Sequence, residues 1–208
     1  MALNDVLIDG MKIVGGGLVA STVTLWVNGR RSEREVTRTA RALATRLVPI
    51  FEAYARTCAE IRGIHLASER EDPYDFSGVQ HVPELQELPV DEQGWRAIDG
   101  DLGARAQTFH MHVYSCRQLV KATAEYGDAD DIEVAVETQA TELGAMAWSI
   151  GCDLRDRYDL PPAPPDWKYM QHFLEEEARL AKQLEERRAE MRELNSILEE
   201  EGIEPNLV

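Results

Sequence analysis

The chain is 208 residues long and carries a formal net charge of −16. That length is enough for one domain with a real core, and the acidity argues against a nucleic-acid binder, because phosphate contacts need a basic surface. Cys58, Cys116 and Cys152 are odd in number, widely spaced and form no C-x-x-C pair, a usage that suits a reducing compartment.

The first predicted element is the apolar run at 11–27 (MKIVGGGLVASTVTLWV), followed at once by a charged stretch containing Arg30, Arg31 and Arg34. As a helix the run measures about 25 Å, against a hydrocarbon core of about 30 Å, so a membrane span must borrow from its flanks. Ile13, Val14, Leu18, Val19, Val23 and Leu25, with Val27, favour insertion by about 2 to 4 kcal/mol, and Trp26 suits the headgroup boundary. A secretory signal peptide would need a positive leading region, whereas Asp5 and Asp9 precede the run here. Gly15 to Ala20 also fits the G-x-G-x-x-A turn of a dinucleotide-binding unit, but no second strand ending in an acidic residue follows. In a membrane, Gly16, Ala20 and Thr24 instead form a small-residue face that lets helices approach. Arg30, Arg31, Arg34, Arg38 and Arg41 follow the run, against Lys12 alone at its start, so the positive-inside rule puts the remainder on the cytoplasmic side. The expectation is a single-pass inner-membrane protein, anchored by residues 1–29 with the lipid bilayer contacting 11–27.

Next, Ala40, Leu43, Leu47, Ile50, Tyr54, Cys58 and Ile61 step by three and four, which predicts a helix with one buried stripe. Pro49 predicts a bend or break near 45–49, and Arg62 with Gly63 closes the element. Residues 63–94, interrupted by Pro73, Gly78, Pro83, Pro89 and Gly94, read as a long irregular loop, and such loops are commonly functional or disordered. A second helix is predicted over 101–126, stopped by Gly127. A third starts at the acidic cap of Asp128, Asp130 and Asp131 and runs to Tyr158; the tight turn between them makes the two antiparallel neighbours. The prolines at 161–166 form a stiff connector. Asp166 is placed as the cap of a final charged helix from 167 to about 200, within a terminal unit at 167–208. Its seam of Leu180, Leu184, Met191, Leu194 and Leu198 resembles a coiled coil, weakened by Glu177 and Arg187. Those leucines are expected to meet a protein partner or a second copy.

Residues that could carry chemistry are few. His110, His112 and Cys116 include one pair four apart on a helix face, but two ligands do not make a zinc site and Cys116 lies on the apolar stripe. No metal or cofactor is expected. Cys58 could be a nucleophile with His65 or His81 from the long loop, although their spacing matches no known nucleophile motif. The fold class that follows is all-α: an N-terminal single transmembrane helix, an antiparallel helical bundle over 30–160, and a long charged, coiled-coil-like C-terminal helix. The function expected of it is that of a membrane-anchored scaffold or accessory protein acting through protein–protein contacts. Two alternatives are an enzyme with its site under the 63–94 loop, and a helical subunit whose apolar N-terminal helix packs inside an assembly.

Overall fold

In the computed structural model, residues 2–71 and 81–200 are described, with side chains described for 33–67, 81–190 and 192. The described residues form five helices, α1 (Ala2–Glu71), α2 (Glu92–Ala97), α3 (Gly100–Tyr126), α4 (Ala129–Arg157) and α5 (Tyr169–Glu200). The long helices pack as a bundle, with α4 against α1, α3 and α5.

The buried stripe of α1 is Ala40, Ala44, Leu47, Phe51, Tyr54, Cys58, Ile61 and His65, alternating steps of four and three. This regularity explains why α1 does not end at Gly63, contrary to the sequence expectation. The stripe continues to His65, and packing outweighs the modest helical penalty of one glycine. Nor does Pro49 break the helix. Pro49 and Thr45 lie on the exposed side, so the Thr45 carbonyl that loses its backbone donor faces solvent.

Chain direction follows from cross-helix contacts. Along α4, Glu137 meets His65, Gly144 meets Cys58, and Arg155 meets Glu52, so α1 and α4 are antiparallel. Arg105 pairs with Asp153 and Asp99 with Arg157, which sets α3 antiparallel to α4 as well. Arg187 reaches Asp131 while Phe173 covers Gly144, giving α5 the same sense. Helices α1 and α3 therefore run parallel, and the chain between them must return along the whole bundle.

That return is the physical reason for the long connection. Val82 is buried, Tyr54 donates its hydroxyl to the Pro83 carbonyl at 3.4 Å, and Arg117 pairs with Glu84 at 2.8 Å. Farther on, Trp95 donates its ring N–H to the Pro89 carbonyl at 3.0 Å and Asp91 caps α2 through the Gly94 N–H at 2.8 Å. The described part of the loop, from His81 on, is thus a strap fastened to α1 and α3, and residue 63 lies inside α1 rather than in the loop.

Helix ends obey local chemistry. Asp128 accepts the Asp131 N–H at 2.9 Å, which starts α4, and Asp99 accepts the Asp101 N–H at 3.2 Å, which starts α3. After α4, Asp159 takes a left-handed φ of 50°, and the Asp159 carbonyl accepts from Arg41 at 2.8 Å. Helix α5 starts at Tyr169, so Asp166 is a turn residue and not its cap. Trp167 instead packs on Trp148 and Tyr169, with the Arg56 guanidinium 4.8 Å from its ring centre.

The apolar run at 11–27 falls within α1 but outside the residues whose side chains are described. Among the described residues, no helix is long and apolar enough to cross a membrane.

Candidate functional site

None of the contacts made by Cys58 joins it to His65 or His81 among the described residues. Cys58 is buried opposite Gly144, and burial pushes its thiol up to about 12, only partly offset by a hydrogen bond with Tyr54. His65 is not a loop residue but a buried member of α1, about 10 Å farther along the helix than Cys58 at about 1.5 Å per residue. His81 is exposed at the start of the strap. A thiol held protonated is not the thiolate that a cysteine nucleophile uses.

His112 and Cys116 share α3 but gather no third ligand among the described residues. His112 lines a cleft between α3 and α4 with Arg105, Thr108 and Met146, while Cys116 packs partly against the core. His110 turns its Nδ1 back to the Gln107 carbonyl at 2.5 Å.

The proposed seam of α5 divides in two. Leu180 is 3% exposed and Phe173 2%, so the first half of α5 belongs to this chain's own core and Leu180 is not open to a partner. Leu184, at 38%, is exposed. Met191, Leu194 and Leu198 lie outside the residues whose side chains are described, as do Ile13, Val14, Leu18, Val19, Val23, Leu25 and Trp26 of the apolar run.

The structure assembles a cluster that the linear sequence did not suggest. Where α1, α4 and α5 meet, the buried side chains of His65, Glu137 and Glu176 lie together with Glu133, Arg62 and Arg179. His65 Nδ1 is 3.3 Å from Glu137 Oε1 and 3.5 Å from Glu133 Oε1. The other oxygen of Glu137 accepts from Arg179. Arg179 also donates to Glu176 at 2.8 Å, and Arg62 donates to Glu176 at 2.5 Å. Burial alone would raise the Glu137 carboxyl, but hydrogen bonds from His65 and Arg179 outweigh it and hold the carboxyl below its ordinary range. Burial works against the Arg179 guanidinium in the same way, and its bonds to Glu176 and Glu137 hold it firmly charged.

Among the described residues, His65, Glu133 and Glu137 are the one set of three potential metal ligands whose donor atoms lie within 4.8 Å of one another. Glu133 and Glu137 stand one turn apart on α4, a spacing readable in the sequence, but their histidine comes from a helix whose expected end, at Gly63, lies before it. Compared with models of protein families, with characterised proteins and with solved structures, the chain matches none.

Proposed function

We propose that this chain is a membrane-anchored helical scaffold that works by binding other proteins, with its bundle on the cytoplasmic side. The observation that carries this reading is the continuity of α1 from Ala2 to Glu71. The apolar run and the buried stripe from Ala40 onward belong to one helix, so an anchor in lipid would hold the bundle on a rod. From residue 27 to Ala40 that rod is about 20 Å long at about 1.5 Å per residue. Arg34 and Arg38 lie exposed on this stretch, where they can meet anionic headgroups.

A binding role is supported by the outer face of α3. Leu102, Ala106, Phe109, Val113 and Val120 are buried on one side, yet Met111, Tyr114, Leu119 and Tyr126 are exposed on the other. A helix apolar on both sides offers a second surface for association. Within α5, Leu184, one turn beyond the buried Leu180, is exposed and offers a second place for a partner.

The anchor is tested by one charge. Leucine and valine in the run favour insertion by only a few kcal/mol, and an arginine at the centre opposes it by about 2.5 to 3.5 kcal/mol. Val19→Arg is expected to leave the membrane fraction in a vesicle flotation assay, whereas Lys12→Arg, near the end of the span, floats as the parent does. A parent protein that stays at the bottom of the gradient would favour the other reading, in which the run packs inside an assembly.

A further inference from the structure

We propose that His65, Glu133 and Glu137 bind a divalent transition-metal ion that clasps α1 to α4. A single imidazole nitrogen, His65 Nδ1, faces two carboxylate oxygens at 3.3 and 3.5 Å, and one N–H can serve only one of them. Both separations exceed the roughly 2.7–2.9 Å of a charge-assisted N–H···O bond. They also match the spacing of ligands around an ion: bonds of about 2.0–2.2 Å to nitrogen and oxygen place neighbouring ligand atoms about 3.0–3.5 Å apart.

The donor set selects the class of ion. An imidazole with two carboxylates suits zinc, manganese, iron or cobalt in their divalent states, while calcium and magnesium prefer oxygen alone. The surrounding groups orient the ligands. Arg179 takes the far oxygen of Glu137 and leaves Oε1 turned to His65, and Glu176 in turn steadies Arg179 and Arg62. Glu133 is 36% exposed, which gives the ion a way in and keeps one side open to water.

A proton is the competing occupant. Among the described residues, the charged groups around His65 include Arg62 from its own helix, Glu133 and Glu137 from α4, and Glu176 and Arg179 from α5 beyond them. A proton on His65 Nδ1 and a metal ion would compete for the same place against the two carboxylate oxygens.

The two separate cleanly in a titration of the full chain, purified in mild detergent and stripped with chelator, using cobalt(II) as the visible probe. Saturable binding at one ion per chain is expected near neutral pH, together with a rise in unfolding temperature when zinc is added. Glu133→Gln, a half-exposed position whose loss should leave the bundle folded by circular dichroism, is expected to weaken cobalt binding about tenfold or more. His65→Gln should abolish binding. Equal binding by the parent and Glu133→Gln, or no saturable binding by the parent, would overturn the proposal. An unfolding temperature indifferent to metal that climbs as the pH is lowered toward the ordinary imidazole range and then levels off would assign the cluster to an imidazolium instead. The outcome is independent of membrane anchoring, because it reads only the bundle.

Discussion

Arg155→Ala is expected to remove about 3–5 kcal/mol from the stability of the bundle, a large part of the roughly 5–15 kcal/mol available to an ordinary domain. Arg155 forms a two-point bridge to Glu52, with its Nε 2.6 Å from Oε1 and its Nη2 2.9 Å from Oε2, and its remaining nitrogen donates to the Pro161 carbonyl. One side chain therefore ties α1, α4 and the connector before α5. Glu52 is 4% exposed, so deleting the arginine strands a carboxylate where water cannot reach it. Burial in solution is what the experiment reads, by comparison with Arg105→Ala at the exposed pair with Asp153, where about 0–1 kcal/mol is expected. The paired replacement of Glu52 by Leu and Arg155 by Met should recover most of the loss in urea unfolding. If Arg155→Ala unfolds at the same urea concentration as Arg105→Ala, the bridge is not buried in the way described.

Phe173→Ala is expected to lower stability by about 3–5 kcal/mol, which makes α5 a member of the core and not an appended arm. Gly144 leaves the space Phe173 fills: a Cβ at that position would come within 2.4 Å of the Phe173 ring and 2.9 Å of Cys58 Cβ. Helices α1, α4 and α5 meet at this point, so loss of the ring opens a cavity shared by three elements. Leu184→Ala, only eleven positions farther along, is expected to change stability by less than about 0.5 kcal/mol because its side chain is already exposed. Equal, small effects at both positions would show that α5 does not depend on the bundle.

Elements governed by local chemistry were legible in the sequence. The acidic cap at Asp128, the stop at Gly127 and the stripe from Leu102 to Val120 gave α3 and α4 nearly to the residue. The end of α1 was misjudged because Gly63 carries a local signal for termination, whereas the buried stripe continues past it to His65, beside Glu137 of α4. The long loop was expected to be functional from its length alone. Its described part is instead a strap, because α1 and α3 run parallel, and no local pattern announces the relative direction of two helices that a tight turn does not join.

The candidate site was hidden for the same reason. Its histidine, carboxylates and guanidiniums are spread from Arg62 to Arg179, and only the register of α5 against α4 brings Arg179 beside Glu137. The leucine seam of α5 was visible as a period, but a period does not tell which half the chain covers itself. Phe173 and Leu180 are covered by this chain, while Leu184 is left exposed.

The most direct test of a scaffold held at the membrane is protease treatment of sealed vesicles of both orientations, followed by detection of each end of the chain. In inside-out vesicles the bundle and α5 are expected to be digested while a short N-terminal fragment stays with the lipid, and in right-side-out vesicles the chain should remain whole. Digestion only in right-side-out vesicles would contradict the orientation set by the arginines. Recovery of the intact chain in the wash, free of lipid, would contradict the anchor itself.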